Sequence, residues 1–340
     1  MTKELSKLLK LLNGHRVFIQ THNFPDPDAI ASAFGLQELL KHFGIKTTIC
    51  YHGTDVRSAT ASMITMLEIE MFSDRDIKMS AKDYIITVDA QKGNSNILGL
   101  DGNEVACIDH HPTFCETESY RFMDVRIVGS CATIIADYYR ANKIKMSERV
   151  ATALLYGLKM DTKDFTRSVT QTDIDIYSYL FRQADNKMIR HFQTNVLQYN
   201  ELESFADSMH SIEIYNGIAF VFLDFICADA FVAMVSDFIL DLDAVVFVVV
   251  YSKRENGFKF SVRSELDELD SGYITAKALK DCGSGGGHRT MAGGYADEVK
   301  LLEMSVDIRK TIQNLFLNVI DKKRGQESIF ADNLGQQTGF

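Results

Sequence analysis

The stretch from residue 19 to residue 32, IQTHNFPDPDAIAS, holds two of the three prolines in this 340-residue chain. Pro25 and Pro27 follow an apolar run that predicts a buried strand. Because proline fixes its own φ and favours an extended conformation at the residue before it, we expect Phe24 and Asp26 to be extended. A chain with so few prolines places them where the direction of the backbone matters.

Two carboxylates and an imidazole lie close together in this stretch. Residues two apart in an extended chain point to the same side, so Asp26 and Asp28 share a face that His22 is near enough to join. All three follow a predicted strand, at the edge where open α/β sheets bind ligands. A structural interpretation stays open, in which Asp28 is the N-cap of a helix that extends to about Phe43 and Asp26 is a turn residue.

Acids and histidines recur where later apolar segments end. The run IITVDA leads to Asp89, the run VACIDHHP leads to Asp109, His110 and His111, and the helical segment LLYGLKMD leads to Asp161. Clustered carboxylates repel one another unless cations lie among them, so the pattern predicts a pair of divalent cations. Histidine mixed with carboxylate suits Mn²⁺, Fe²⁺, Co²⁺ or Zn²⁺ better than Ca²⁺, and these motifs contain no cysteine for a structural zinc site.

Composition and charge limit the class of protein. The formal net charge of −10 argues against long duplex nucleic acid bound through a broad electropositive face, but a short anionic ligand fits if metal supplies positive charge locally. Six cysteines without CxxC spacing favour reduced thiols and a cytoplasmic location. The most apolar run, residues 244–251, is too short to cross a bilayer as a helix, so no membrane partner is expected.

The order of the apolar segments predicts two domains. Strands that alternate with helices and read as continuous apolar runs indicate an α/β fold, with a mainly parallel sheet flanked by helices. After Ser211, two hairpins with Asn-Gly turns, a helix between them, a glycine-rich loop and a final helix over about 298–318 indicate a smaller α+β domain. The predicted ranges are a catalytic domain (1–185), a helical connector (186–210), the smaller domain (211–320) and a flexible polar tail (321–340).

Four segments, HNFPDPDAIAS, IITVDA, CIDHHPT and GLKMDTKDF, resemble in order and spacing the four motifs of the DHH phosphoesterase superfamily. The segment GSGGGHRTMAGG resembles the signature of the DHH-associated C-terminal domain. Together the resemblance extends over about residues 15–295. Pro27 departs from the family pattern, which commonly has a small residue there, and we expect a stiffer loop with intact flanking ligands.

The resemblance implies a two-metal site that uses Mn²⁺, with Mg²⁺ or Co²⁺ as alternatives, and a metal-activated hydroxide that attacks the phosphoester. Asp109 would support the histidines from behind, because a ligating imidazole needs its other nitrogen oriented, and His111 would meet the substrate phosphate. The implied ligands are His22 and Asp26 for one metal, Asp28, His110 and Asp161 for the other, and Asp89 as the bridge.

The glycine segment predicts a phosphate-binding element in the smaller domain. Successive glycines let backbone N–H groups approach a phosphate, and an arginine at a strand end can bind phosphate through two parallel hydrogen bonds. A flexible loop without a ligand is the alternative. In the resembling family the loop histidine and the SxRS arginine bind the nucleotide end of the substrate. The substrate-binding residues implied here are Arg263, Ser264, Gly286, Gly287, His288 and Arg289.

These features together predict a phosphoesterase for short substrates. The chain resembles the bacterial branch that hydrolyses short oligoribonucleotides to mononucleotides and converts adenosine 3′,5′-bisphosphate to AMP. Alternatives with the same metal core are a linear or cyclic di-adenylate phosphodiesterase and an exopolyphosphatase or pyrophosphatase. A nucleotide-binding regulator without activity would need a broken ligand position, and the motifs contain none. The expected partners are short RNA or nucleotides, and the apolar helices near 171–199 could serve a homodimer.

Overall fold

The computed structural model describes residues 1–53, 58–94, 96–113, 120–194, 202–287 and 289–335. The chain divides into two compact units, Met1–Val196 and Leu197–Phe340. The first is α/β with a parallel sheet flanked by helices, and the second contains a mixed sheet with its own helices, which confirms the predicted fold class. None of the helices in the described part of the chain is both long and apolar enough to cross a membrane.

A parallel sheet forms the centre of the first unit. Its strands lie in the order β3-β2-β1-β4-β5-β6, and every neighbouring pair is parallel. The order reverses between β1 and β4, and this switch point is where open α/β sheets bind ligands at the carboxyl ends of the strands. The strands are β1 (Val17–Gln20), β2 (Thr47–Tyr51), β3 (Met71–Ser73), β4 (Tyr84–Val88), β5 (Asn103–Asp109) and β6 (Phe122–Val125).

Helices cover the central strands of this sheet, and β1 and β4 are buried along their whole length. Burial on both faces explains why these strands read as unbroken apolar runs rather than alternating ones. Several helices begin after a Ser or Thr whose side chain accepts a hydrogen bond from the first turn. The helices of this unit are α1 (Lys3–Leu12), α2 (Pro27–His42), α3 (Ser58–Met66), α4 (Cys131–Asn142), α5 (Glu148–Asp161), α6 (Gln171–Phe181) and α7 (Asn186–Thr194).

The expectation for the proline segment is confirmed at Asp26 and wrong at Phe24. Asp26 is extended, with φ −89° and ψ 179°, and is the N-cap of α2, with Pro27 in its first turn. Phe24 instead lies in the left-handed region with φ 53°, and its N–H donates to the carbonyl of His52 at 3.0 Å. His52 directly follows β2, so a hydrogen bond to the neighbouring strand's end outweighs the local preference that Pro25 imposes.

The second unit contains a mixed sheet, whose strands lie in the order β11-β12-β10-β9-β8-β7. Strands β8 and β9 pair in parallel and the other neighbours are antiparallel. The predicted Asn216-Gly217 turn is confirmed, since both residues have positive φ between β7 and β8. The strands are β7 (Ile212–Tyr215), β8 (Ile218–Leu223), β9 (Phe247–Arg254), β10 (Gly257–Ser264), β11 (Gly283–Gly287) and β12 (Met291–Asp297).

Two segments of the second unit differ from the sequence expectation. The glycine-rich segment, predicted as a loop, forms β11 at the edge of the sheet, because its glycines pair with β12. The predicted last helix is two helices, because the chain is extended at Ser305. Of the predicted tail, residues 321–335 lie in the last helix and residues 336–340 fall outside the described residues. The helices are α8 (Leu202–His210), α9 (Asp229–Leu240), α10 (Ser271–Leu279), α11 (Glu298–Met304) and α12 (Ile308–Gly335).

Candidate metal centre

Carboxylates and imidazoles from separate elements converge at the carboxyl edge of the parallel sheet. They follow β1 and β4, end β5 and α5, or lie in the first turn of α2. The ligand atoms form three overlapping groups, each within 4.8 Å, namely His22, Asp26 and Asp89; Asp28, His110 and Asp161; and Asp89, Asp109, His110 and His111. The structure thus brings together the six predicted ligands, called here the metal-ligand cluster: His22, Asp26, Asp28, Asp89, His110 and Asp161.

Backbone carbonyls orient the two cluster histidines. The Nδ1–H of His22 donates to the carbonyl of Asn23 at 2.9 Å, and the Nδ1–H of His110 donates to the carbonyl of Val128 at 3.1 Å. Each ring therefore presents Nε2 to the carboxylates, as a ligating imidazole does when its other nitrogen is held. His110 Nε2 lies 3.2 Å from an oxygen of Asp89 and 3.2 Å from an oxygen of Asp161.

Asp89 is the central carboxylate of this arrangement. Its φ of 59° is a left-handed conformation that aspartate tolerates better than most residues, and its side chain is 4% exposed. His22 Nε2 lies 3.7 Å from Oδ2, whereas His110 Nε2 approaches Oδ1. The two oxygens of Asp89 therefore face different histidines, so that this carboxylate would be shared between the two halves of the cluster if each half held a metal ion.

The donor set fits divalent metal. Oδ1 of Asp89 is buried and accepts no hydrogen bond from any residue in the described part of the chain. Because Nδ1 of His110 donates to a carbonyl, its Nε2, 3.2 Å from both the Asp89 and the Asp161 oxygens, must either carry a second proton or share a cation with them. Two ligand atoms at about 2.1 Å from one ion lie about 3.0–3.4 Å apart when they subtend roughly 90–110°, which matches these separations.

The pKa values of the cluster also indicate that its carboxylate charges are not neutralised within the cluster. Burial raises the pKa of Asp28 well above its usual value, with further contributions from the Asp89 and Asp161 carboxylates. Burial likewise raises the pKa of Asp161 to about 6. Burial alone would lower the pKa of His110, but the Asp89 carboxylate and the other acids raise it well above its usual value. Without metal the cluster thus retains protons that a divalent cation would replace.

Asp28 is held by the amino end of another helix. It is 1% exposed, and its two oxygens accept the N–H groups of Cys131 and Ala132 at 2.7 and 2.9 Å. These are the first residues of α4, where free N–H groups and the helix dipole favour a carboxylate. The role of N-cap of α2, which the sequence left open for Asp28, belongs instead to Asp26, whose Oδ1 accepts the N–H groups of Asp28 and Ala29 at 3.0 Å.

Asp109 orients the histidine run from behind. It is fully buried, and its Oδ1 accepts His111 Nδ1–H and the His110 N–H, both at 2.8 Å. Burial raises the pKa of Asp109, but the bonds from His111 and Gln91 and the nearby His110 lower it overall. Asp109 thus remains a carboxylate that fixes the ring of His111, the side chain predicted to meet the substrate.

Two buried side chains that support the site were missed in the sequence. Gln91 Nε2 donates to Asp109 Oδ2 at 2.7 Å and to the His111 carbonyl at 3.0 Å. Asp173, fully buried at the start of α6, accepts the Gly129 N–H at 2.9 Å and the Thr133 hydroxyl at 2.6 Å, and so anchors the start of α4. The capping-box spacing of Thr170 and Asp173 was a signal for the second residue, whereas Gln91 carried none.

The predicted substrate-binding residues of the second unit lie around β10 and β11. Arg263 is 12% exposed, and its Nε–H donates to Asp237 Oδ1 at 2.6 Å. The hydroxyl of Ser264 donates to the Leu266 carbonyl at 2.9 Å. Gly286 and Gly287 are exposed on β11, Arg289 is exposed just beyond it, and His288 lies outside the described residues.

The fold and the cluster define a class, an α/β protein with a group of carboxylates and imidazoles that could hold divalent metal at the switch point of a parallel sheet. Residues 16–158 match the DHH family, N-terminal domain. The chain therefore carries a DHH family domain, as its motifs indicated. The matched range contains five of the six cluster residues and stops short of Asp161.

Three known proteins illustrate what the chain is similar to. The cyclic-di-AMP phosphodiesterase GdpP of Geobacillus thermodenitrificans is 27% identical over an aligned length of 333 residues that covers 90% of this chain and 48% of that protein. The probable bifunctional oligoribonuclease and PAP phosphatase NrnA of Streptococcus mutans is 26% identical over 170 residues, 50% of this chain and 53% of that protein. The crystal structure of an exopolyphosphatase-related protein from Bacteroides fragilis shares the fold, with a TM-score of 0.73 and 18% identity over 94% of this chain and 99% of that one. The chain spans about half the length of the curated relatives it matches.

Proposed function

We propose that this chain is a metal-dependent phosphoester hydrolase that releases mononucleotides from short oligoribonucleotides and converts adenosine 3′,5′-bisphosphate to AMP. The observation that carries the proposal is the metal-ligand cluster, in which Asp89 Oδ1 is buried without a hydrogen-bond donor among the described residues. Two divalent cations, when bound, supply an activated water and neutralise charge on a phosphate under attack. The chain carries a DHH family domain, which agrees with this chemistry.

The residues around the cluster have separate roles in this proposal. Asp28 and Asp161 are held by α4 and α5, so that the donor set is formed before metal arrives. His111, fixed through Nδ1 by Asp109, binds the substrate phosphate. In the second unit, Arg263, Ser264, Gly286, Gly287, His288 and Arg289 bind the nucleotide end of the substrate.

Manganese is the proposed ion. The cluster mixes two imidazoles with four carboxylates, and imidazole nitrogen is a better ligand for Mn²⁺ or Co²⁺ than for Mg²⁺, which prefers oxygen and retains several waters. With wild-type protein stripped by chelator, we expect Mn²⁺ to restore turnover at lower concentration than Mg²⁺. Titration of each ion against initial rate tests this order.

Short substrates fit the charge of the chain. The net charge of −10 disfavours long polyanions, whose binding depends on many Lys and Arg contacts to phosphates. The name of the Streptococcus mutans relative, a probable oligoribonuclease and PAP phosphatase, supports the two proposed substrates. Activity should therefore fall steeply as an oligoribonucleotide lengthens.

A di-adenylate phosphodiesterase is the second candidate. The specific observation in its favour is the alignment with the cyclic-di-AMP phosphodiesterase, which covers 90% of this chain and so includes both units. Linear di-adenylate is itself a short oligoribonucleotide, and the two candidates therefore share one chemistry. They differ in whether a cyclic substrate without a terminal nucleotide is accepted.

A panel of substrates with the Mn²⁺-loaded chain decides between them. The panel contains an RNA dinucleotide, a 24-mer, adenosine 3′,5′-bisphosphate, cyclic di-adenylate, pyrophosphate and polyphosphate. Fast mononucleotide release from the dinucleotide, with little from the 24-mer, is expected. Preference for cyclic di-adenylate would establish the second candidate, and preference for pyrophosphate or polyphosphate would overturn both while keeping the metal centre.

A further inference from the structure

A left-handed turn follows the last residue of α5. Lys163, Asp164 and Phe165 have φ values of 46°, 52° and 68°, three consecutive non-glycine residues in a region that L-amino acids avoid. Such conformations persist only where the surroundings impose them, and they concentrate at functional sites. This turn begins two residues after Asp161 of the metal-ligand cluster.

Specific contacts hold the turn in place. The N–H of Asp164 donates to the Lys159 carbonyl at 2.7 Å, and the Asp164 carboxylate pairs with Lys159 Nζ at 2.6 Å. The ring of Phe165 packs edge-on against Tyr177 of α6, with 4.8 Å between centroids. Contacts to α5 and to α6 therefore fix the backbone, so the turn has a defined conformation.

The turn brings a permanent cation to the metal-ligand cluster. Arg167 Nη2–H donates to the carbonyl of Asp161 at 2.7 Å, and Nη2 lies 3.8 Å from Asp161 Oδ1. The other oxygen of Asp161 lies 3.2 Å from His110 Nε2. The guanidinium of Arg167 therefore borders the cluster, and the side chain as a whole is 21% exposed.

The chemistry of guanidinium matches a phosphate held at this place. Arginine stays charged at any working pH and presents a planar set of N–H donors that fits phosphate oxygens. A cation fixed beside a metal pair stabilises charge that develops on a phosphoryl group under attack. We propose that Arg167 is a catalytic residue, whose guanidinium binds a non-bridging oxygen of the substrate phosphate at the metal-ligand cluster, and that the left-handed turn positions it there. The inference rests on the proposed function, whose reaction it refines.

A simpler role for Arg167 is that of a helix cap. Arginine near the carboxyl end of a helix often donates to the last carbonyls, and the bond to the Asp161 carbonyl is of this kind. A cap contributes to stability alone. Phosphate binding and turnover are the properties that only the catalytic role requires.

The test compares Arg167→Met, which removes the charge, with Arg167→Lys, which keeps it, in the Mn²⁺-loaded chain. Arg140→Met is the matched control, since Arg140 lies at the end of α4 and pairs with Asp137 at 3.0 Å. For each variant, calorimetry measures the binding of inorganic phosphate, and steady-state kinetics with the RNA dinucleotide give kcat and KM. Elemental analysis measures bound Mn²⁺, and thermal unfolding gives Tm.

We expect Arg167→Met to weaken phosphate binding about tenfold and to lower kcat/KM on the order of 100-fold with full Mn²⁺ content. Arg167→Lys should recover part of both, and Arg140→Met should match the wild type in both. Phosphate affinity and kcat within twofold of wild type, with only a lower Tm, would show a cap and overturn the inference. Loss of Mn²⁺ from Arg167→Met would overturn it too, because Arg167 would then act through Asp161. If the wild type cleaves nothing in the panel, the proposed function fails while phosphate binding still decides the role of Arg167.

Discussion

The metal-ligand cluster of the first unit and the Arg263 region of the second differ in how their polar groups are satisfied. In the cluster, Asp89 Oδ1 has no hydrogen-bond donor among the described residues, although buried polar groups normally have one. In the second unit, Arg263 is already paired with Asp237, and Ser264 with Leu266. The cluster therefore has a buried oxygen that a cation could satisfy, whereas the polar groups of the second region already have partners within the chain. Changes in the cluster should act on kcat, and changes around β11 should act on KM.

The largest effect should come from Asp89→Asn. The variant keeps the size of the side chain and tolerates the left-handed backbone, but it removes the charge that links the two halves of the cluster. We expect kcat to fall on the order of 1000-fold or more, with reduced Mn²⁺ content. Steady-state kinetics and elemental analysis measure both.

Asp83→Asn is the matched control, because Asp83 precedes β4 where Asp89 follows it. Its carboxylate accepts hydrogen bonds from the Ser80 N–H at 2.8 Å and the Ser80 hydroxyl at 3.1 Å. This variant should lose about 1 kcal/mol of unfolding free energy and keep its activity. If Asp89→Asn retained wild-type kcat, the cluster would not be the reaction centre.

Gln91→Met should have the next largest effect. Methionine keeps the length of the side chain but removes both donors, so Asp109 and the His111 backbone lose a common support. Loss of such a support around a metal site costs about 10–100-fold in activity. We expect kcat to fall by that factor while the ligands, and hence the bound Mn²⁺, are retained. Equal losses of Mn²⁺ and activity would instead mean that Gln91 supports the metal ligands directly.

A neighbouring pair of glycines tests the second region. A Cβ at Gly287 would lie 2.5 Å from the Met291 carbonyl oxygen, and its φ is 154°, whereas a Cβ at Gly286 would meet nothing within 4 Å. Gly287→Ala should therefore lower the free energy of unfolding by about 2 kcal/mol, and Gly286→Ala should change it by less than about 0.5 kcal/mol.

The functional consequence separates the two roles of these glycines. If substrate lies against β11, the methyl group of Gly286→Ala should raise KM about tenfold with kcat unchanged, since one methylene in a binding surface has effects of this size. Denaturant unfolding and steady-state kinetics measure the two quantities. An unchanged KM in the stable Gly286→Ala variant would remove β11 from the substrate site.

The sequence pattern predicted the buried parallel strands and the edge of the sheet at which the site residues lie. Strands β1, β4 and β5 were evident because they are buried apolar runs, and their carboxyl ends share one edge of the sheet. Because parallel strands share one carboxyl edge, the residues after β1, after β4 and at the end of β5 must lie near one another. The six predicted ligands do lie within one cluster.

Contacts between distant segments account for what could not be predicted. Phe24 is left-handed because of a bond to His52, and the Asp28 carboxylate accepts N–H groups of α4 from more than 100 positions away along the chain. The glycines of β11 carry no strand signal of their own and are extended because β12 pairs with them. The turn at Lys163 contradicts local preference and is fixed by packing on α6. Each of these features depends on a partner that periodicity does not reveal.

The smallest predicted effect is a pH dependence of local stability in the metal-free protein. Burial lowers the pKa of His22, but the Asp26 and Asp89 carboxylates raise it on balance to about 9, and burial raises that of Asp161 to about 6. Both pKa values lie above those of an unfolded chain, so the folded protein binds more protons. The stability that this proton binding provides is lost as pH rises from about 4 to about 9.

Hydrogen exchange of β4 and β5, corrected for intrinsic rates, should therefore show falling protection over this range after chelation, while β9 and β10 change little. Bound Mn²⁺ takes the place of these protons and should abolish the decline. An equal decline in both units would mean that the charge imbalance is not confined to the cluster.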